Sequence, residues 1–288
     1  MQSKNLKWHL LIVLALIWGS SFILIKRGLI GLSPFQLGSL RIIFCALFLL
    51  AIGFKSLKNI PHTKWRYIAM TSLFGTFLPV YLFSFAQTGI GSSISAILNS
   101  LTPLNTLLIG AAAFGLTFQR RQLLGVLIGL AGCALLIYNG AVSHPGQNYY
   151  FSLFVIAASI CYATNLNLIK KYLSDLSPLS ISTGNFAIML VPAIGVLCFS
   201  GFFGITHKPE AIESMYYVMI LAVMGTGVAN LLFFRLIQIA SPIFASSVTY
   251  LIPVVAFCWG LLDNESLTLT QGLGAFIILI GVYFSAKK

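Results

Sequence analysis

The chain has 288 residues, of which 58% are hydrophobic and only 8% charged, and its mean hydropathy is +0.96. A soluble domain carries roughly a quarter charged residues, so a water-soluble globular protein is excluded, and a chain this apolar is not a disordered one either. The 17 Lys and Arg against 5 Asp and Glu give a net charge of +12, but the cations stand singly or in pairs at the edges of apolar runs, where the positive-inside rule places them, and form no patch for nucleic acid.

A helix crossing about 30 Å of hydrocarbon needs about 20 apolar residues. In chain order the uncharged runs are 8–25, 28–54 (broken only by Arg41), 67–119, 122–169, 176–207, 214–234, 236–262 and 266–286. The run 67–119 holds two spans, parted at Thr88-Gly89-Ile90-Gly91-Ser92-Ser93. The run 122–169 is cut at Asn139-Gly140 and again at His144-Pro145-Gly146-Gln147-Asn148, since Gly, Pro and Asn clusters punctuate turns. The expected helices are about 8–27, 35–54, 66–88, 91–114, 121–139, 149–170, 178–201, 214–236, 241–262 and 270–286. The fold class is therefore an all-α membrane protein with ten transmembrane helices.

The first segment has a basic start at Lys4 and Lys7 but no small-residue cleavage site, and it reads as a retained helix, not a signal peptide. With the N-terminus in the cytoplasm, the inner segments hold Lys4, Lys7, Lys55, Lys58, Lys64, Arg66, Arg120, Arg121, Lys170, Lys171, Arg235, Lys287 and Lys288, which is 13 cations. The outer segments hold Lys26, Arg27 and Lys208, which is 3. That split predicts a multi-pass protein of the inner or plasma membrane with both termini cytoplasmic.

The two halves resemble each other. Ser33-Pro34 matches Ser177-Pro178 at an offset of 144, as do Trp18 and Tyr162, Lys26 and Lys170, and Arg27 and Lys171. Gly75-Thr76 matches Gly225-Thr226 at offset 150, as Leu101 and Pro103 match Leu251 and Pro253. Gln122, Gly125 and Gly132 match Gln271, Gly274 and Gly281 at offset 149. The order is kept and the offset drifts as loop lengths would make it drift. Residues 1–140 and 141–288 thus form two five-helix repeats. Five crossings return the chain to the opposite side, so the repeats are inverted, an arrangement suited to alternating access.

The run Ala15-Leu16-Ile17-Trp18-Gly19-Ser20-Ser21-Phe22, the Ser33-Pro34 before Leu40-Arg41, and the Leu101-Thr102-Pro103 and Leu251-Ile252-Pro253 segments resemble the EamA-type branch of the drug/metabolite transporter superfamily. The resemblance covers the whole chain and both repeats. It implies a ten-helix inner-membrane carrier, often an exporter of amino acids or other small metabolites. One departure is visible: the fourth helix of the family often ends in Gly-Glu, and the first repeat reads Phe114-Gly115-Leu116, whereas the second keeps Glu265 with Asp263 near it.

All five acids and all four histidines fall at loops or helix ends, with Glu210 and Glu213 preceding the eighth helix and Asp263 and Glu265 near the outer mouth. Proton-driven carriers hold their protons on buried Asp, Glu or His, so no carboxylate-based proton coupling is expected. Arg41 is the one charge well inside a span. It has two readings: a fixed cation for a substrate carboxylate or phosphate, or an arginine bonded to helix-end carbonyls that locks two helices, and the family pattern favours the second. With a single buried cation, zwitterionic or neutral cargo is favoured over phosphorylated cargo.

The other candidate substrate-binding residues are polar or aromatic and mid-span: Trp18, Ser21, Tyr81, Asn99 and Thr102 in the first half, and Tyr162, Asn165, Asn230, Thr249 and Tyr250 in the second. Amides are costly in lipid and should face protein or a wet cavity. Pro103 and Pro253 are candidate hinges, because proline frees a backbone carbonyl and permits bending. The 23 Phe read mostly as lipid-facing filler, and Gly125-x-x-x-Gly129 reads as a close packing face within the chain. The five cysteines read as packing residues, and no metal set, catalytic pair or nucleotide loop is present, so neither enzyme activity nor a cofactor is expected. The expected partners are a small-molecule substrate and the lipid bilayer, in a monomer or weak homodimer. Import and export, and carrier and channel or scramblase, stay open at this level.

Overall fold

The computed structural model describes residues 2–115, 117, 119–143, 148–262 and 269–286. Asp263, Glu265 and the turn at 144–147 lie outside the described residues, within which every regular element is helical.

Helix α1 spans Gln2–Gly28 and α2 spans Pro34–Gly53. Ser33 caps α2: its hydroxyl accepts from the Gln36 N–H, and the Gln36 side chain accepts from the Ser33 N–H at 2.8 Å, a reciprocal capping box with Pro34 in the first turn. The rod α3 joins Trp65–Ser72, a π turn over Leu73–Phe77, and Leu78–Ala86. The rod α4 joins Ser92–Leu98, a 3-10 turn over Asn99–Leu101, and Thr102–Phe114, and it ends on Gly115 in the left-handed conformation (φ 65°). Helix α5 is Arg120–Ser143, α6 is Ser152–Tyr172, and α7 is Pro178–Phe199, capped by Ser177 as α2 is by Ser33. The rod α8 joins Pro209–Ala222, a π turn over Val223–Val228, and Ala229–Ile239. The rod α9 joins Pro242–Ser246 to Val248–Leu262, and α10 is Leu269–Ala286.

Among the described residues, α1–α4 and α6–α9 are eight helices long and apolar enough to cross a membrane. Large apolar side chains such as Leu47, Ile52, Val191 and Phe199 face outward, as lipid requires. Two expectations need correction. The expected break at Asn139-Gly140 does not occur, because α5 runs through it to Ser143. The eighth helix begins at Pro209, earlier than 214, so Glu210 stands in its first turn and Glu213 soon after. Proline presets the first helical turn, and an acid there meets the positive end of the helix dipole.

The packing has a regular plan. Helix α2 lies along α7, and α5 along α10. Helix α1 packs on α9 as α6 packs on α4, and α8 packs on α1 as α3 packs on α6. Exchanging α1–α5 with α6–α10 maps α2–α7 and α5–α10 onto themselves and the other four contacts onto one another in pairs. The α2–α7 pair is antiparallel: Gln36, at the start of α2, donates to the Ser200 carbonyl at the end of α7 (3.0 Å), while Gly53, at the other end of α2, touches Thr183 and Leu179 near the start of α7. The α5–α10 pair closes on glycine. A Cβ added at Gly281 would stand 2.5 Å from the Gly129 nitrogen and 2.8 Å from the Gly125 carbonyl oxygen. The Gly125-x-x-x-Gly129 face therefore packs within the chain, as expected.

One end of the bundle gathers cations. There Lys64 Nζ donates to the Tyr172 carbonyl at 2.6 Å and to Asp175 Oδ1 at 3.0 Å, tying the start of α3 to the α6–α7 turn. The Lys64 hydrogen bond holds the Asp175 carboxyl below the ordinary carboxylate value. A lowered folded value contributes stability that is present above the unfolded pKa and lost as pH falls through the folded one. Asp175 is 59% exposed, so solvent screens the pair and the contribution is small. Asp175→Asn is expected to leave the melting temperature nearly unchanged at neutral pH and to flatten its decline between about pH 5 and pH 3. An identical decline in both proteins would remove the pair from the account.

Candidate functional site

An open cavity sits where α1, α2, α3, α4, α6, α8 and α9 meet. Two irregular turns frame it. In α3, Pro79 has no N–H to offer the Gly75 carbonyl four residues back, and the helix there widens into the π turn Leu73–Phe77. In α8, Gly225-Thr226-Gly227 holds the helix weakly, and the Thr226 hydroxyl donates to the Leu221 carbonyl five residues back at 3.2 Å. The freed carbonyl of Gly225 accepts from Trp18 Nε1 at 3.0 Å.

Each π turn receives a neighbour against a bare glycine. A Cβ on Gly75 would stand 2.5 Å from Asn165 Cγ, and a Cβ on Gly225 would stand 2.6 Å from Ser21 Oγ. These two contacts are the same contact made twice, since Gly75 and Gly225 differ by 150 and Ser21 and Asn165 by 144. The walls repeat in the same way: Trp18 with Tyr162, Thr76 with Thr226, Phe83 with Phe233, and Asn99 with Thr249.

Most of the expected residues meet here. Trp18, Ser21, Arg41, Asn99 and Thr102 line the cavity from the first half. Tyr162, Asn165, Asn230 and Thr249 line it from the second. Two do not. Tyr81 turns away and pairs its hydroxyl with Ser39 at 2.8 Å. Tyr250 is fully buried elsewhere, with its ring over Gly129 and its hydroxyl toward the Val126 carbonyl at 3.5 Å. Of the candidate hinges, Pro103 stands in the first turn of the helix after the 3-10 turn Asn99–Leu101, whereas Pro253 lies inside the helix Val248–Leu262, beyond the break at Ser247. Ser100 bridges the two rods, donating to the Thr249 carbonyl at 2.8 Å.

Arg41 is 7% exposed and donates from Nε to Thr226 Oγ1 at 2.8 Å. The bond joins α2 to the π turn of α8, and no helix-end carbonyl is involved. Its two terminal nitrogens have no hydrogen-bond partner among the described residues, and they are not sealed off, so they face the cavity. The Tyr162 hydroxyl and the Asn230 amide are likewise without a protein partner among the described residues, and the Thr102 hydroxyl donates to the Asn99 backbone carbonyl at 2.7 Å, with Asn99 Oδ1 3.2 Å away. Among the described residues no Asp, Glu, His or Cys lines the space, and no group of metal-ligating side chains gathers anywhere.

The sequence reading passed over the apolar wall. Phe22, Phe83, Phe233 and Phe234 face the cavity rather than lipid. Phe22 meets Phe83 edge-on at 5.9 Å, Phe233 meets Trp18 at 4.7 Å and 70°, and Phe83 stacks on Tyr162 at 5.9 Å. Thr76 and Thr226 were also missed as lining residues, although the Gly-Thr match between the halves pointed to them.

The EamA-like transporter family matches the chain twice, over residues 6–138 and 150–286. The chain belongs to the EamA-like transporter family. It is 26% identical over 290 residues to a "Probable amino-acid metabolite efflux pump" of Salmonella typhimurium, covering 96% of this chain and 93% of that protein. It is 26% identical over 293 residues to an "Uncharacterized transporter" of Archaeoglobus fulgidus, covering 99% of both. An "Uncharacterized inner membrane transporter" of Escherichia coli is 27% identical over 281 residues, covering 94% of this chain and 88% of its own. A solved crystal structure shares the fold with a TM-score of 0.71 at 16% identity, over 96% of this chain and 94% of its own. This EamA-family chain is a multi-pass membrane transporter.

Proposed function

We propose that this protein is an inner-membrane carrier that exports small zwitterionic or neutral metabolites, amino acids or related compounds, by alternating access. The observation that carries the reading is the central cavity, built twice over from matched residues of the two halves, with one fixed cation at Arg41. Its repeat units are residues 1–140 and 141–288, each of five spans, with α5 and α10 completing the count and both termini in the cytoplasm. The antiparallel α2–α7 pair and the exchange plan of the packing support inverted repeats. Two similar halves that swap conformations turn an outward opening into an inward one. The π turns, the 3-10 turn at Asn99–Leu101 and the break at Ser247, with Pro103 and Pro253 beside them, are where the rods bend.

In this mechanism Arg41 holds the substrate carboxylate through its free terminal nitrogens. Tyr162, Asn165 and Asn230 satisfy the remaining polar atoms, and Trp18, Phe83 and Phe233 cover the apolar part. Among the described residues the cavity is lined by no carboxylate or imidazole, which supports transport without carboxylate-based proton coupling. The amino-acid efflux relative at 26% identity points to the same cargo class.

The test is counterflow in proteoliposomes loaded with a panel of unlabelled amino acids. A carrier shows trans-stimulated uptake of the labelled compound, and a channel does not. Absence of trans-stimulation across the panel, or accumulation driven by an imposed pH gradient, would overturn the proposal.

A further inference from the structure

Arg41 brings a full positive charge into the middle of an apolar bundle. A lone cation at such depth costs several kcal/mol unless it is paired or hydrated. Among the described residues no acid lines the cavity, and the ion pair resolved there, Lys64 with Asp175, lies at the basic end. Thr226 relieves only Nε, and its own hydrogen goes to the Leu221 carbonyl. The four N–H hydrogens on the terminal nitrogens of Arg41 therefore have no acceptor in the surrounding protein among the described residues.

The neighbouring groups sharpen this imbalance. The Thr102 hydrogen goes to the Asn99 backbone carbonyl at 2.7 Å, and the Asn99 side-chain amide lines the cavity. Asn165 packs its amide against the π turn at Gly75, with Oδ1 buried and without a partner. The Tyr162 hydroxyl faces the same space without a protein acceptor. The cavity thus presents a cation whose terminal N–H groups meet no protein acceptor among the described residues, beside the unpartnered Tyr162 hydroxyl and Asn230 amide. A carboxylate answers it while substrate is bound. Once substrate has left, the halves must swing back through a closed state with the same donors unanswered.

We propose that the unloaded cavity binds a small monovalent inorganic anion, of the chloride type, on Arg41, and that the protein is an exchanger in which this anion returns as the carboxylate-bearing substrate leaves. The inference rests on reading the central cavity as the substrate site. Arg41 is then neutralised in both crossings, and neither direction moves a bare cation through the closed bundle. The charge balance is definite. Exchange of a zwitterion for the anion transfers one negative charge per cycle, whereas exchange of a monocarboxylate anion transfers none.

The experiment uses the full chain in liposomes loaded with chloride, with radiolabelled chloride outside. Wild type is expected to take up label many-fold above protein-free vesicles. Arg41→Gln is expected to fall to the protein-free level, and Arg41→Lys, which keeps the charge but loses the fork, to retain part of the exchange. The Arg41→Lys variant keeps the test decisive if Arg41→Gln fails to fold. Uptake at the protein-free level in wild type, or equal uptake in wild type and Arg41→Gln, overturns the anion site. Amino-acid counterflow is run in the same vesicles. If it proceeds without chloride uptake, the exchange inference falls and the carrier reading stands. If chloride exchanges and no amino acid moves, the anion site stands and the proposed cargo falls.

Discussion

Arg41→Gln is expected to lower amino-acid counterflow by about 100-fold or more while the protein stays folded. Glutamine keeps an amide near Thr226 but loses the charge and the parallel pair of donors. Truncating one partner of a buried, hydrogen-bonded charge pair costs about 2–5 kcal/mol, and each 1.4 kcal/mol is tenfold in affinity. The loss should fall on substrate affinity, because the fork is aimed at the ligand and only Nε is committed to the protein. Arg41→Lys should recover a fraction, since a point charge cannot reproduce two parallel bonds to one carboxylate. An arginine that only ties α2 to α8 makes a different prediction: Arg41→Gln would lower the melting temperature, and the folded fraction would bind substrate as before. Melting temperature and substrate affinity measured on the same preparation separate the two.

The helices were legible because the bilayer makes them so. Apolar runs about 20 residues long have one structural outcome in lipid, and the cuts fell within a few residues of most observed ends. The Ser33-Pro34 and Ser177-Pro178 pairs were legible as helix starts, because the cap and the preset φ are local. The repeat offsets were legible enough to pair Trp18 with Tyr162 and Gly75 with Gly225 before any contact was known. Azimuth was not legible. A span that is apolar all round carries no period that says which face looks inward, so depth selected Tyr81 and Tyr250 as readily as Tyr162. The same blindness hid Phe22, Phe83, Phe233 and Phe234 among the lipid-facing phenylalanines. The π turns were hidden for another reason. Pro79 and the Gly225-Thr226-Gly227 run say that the ladder is weak there, but whether it breaks, kinks or widens depends on the neighbour that takes the freed carbonyl, and for Gly225 that neighbour is Trp18, 207 residues away.

Gly281→Leu is expected to destabilise the folded protein by more than about 3 kcal/mol, beyond the 1–3 kcal/mol usual for overpacking. The reason is what the new side chain would meet. Most crowded sites offer a side chain that can rotate, whereas Gly281 faces backbone: the Gly129 nitrogen at 2.5 Å, the Gly129 Cα at 2.7 Å and the Gly125 oxygen at 2.8 Å. Relief requires α5 and α10 to separate along their length. Helices in lipid associate by close packing without a hydrophobic drive, so separation forfeits the contact that holds them. Nor can α5 retreat, because Gly129 is backed by the Tyr250 ring, 2.8 Å from where its own Cβ would stand. Tyr250 adjoins Thr249 on α9, which lines the cavity, so a push at Gly281 is transmitted through Gly129 and Tyr250 toward the substrate. Gly281→Ala is accordingly expected to lower both the melting temperature and substrate affinity. Gly195 of α7 is the matched control, with nothing within 4 Å of an added Cβ, and Gly195→Ala should be neutral or stabilising by up to about 1 kcal/mol. Equal melting temperatures for the Gly281 and Gly195 variants in detergent would show that the α5–α10 seam is not held by glycine contact.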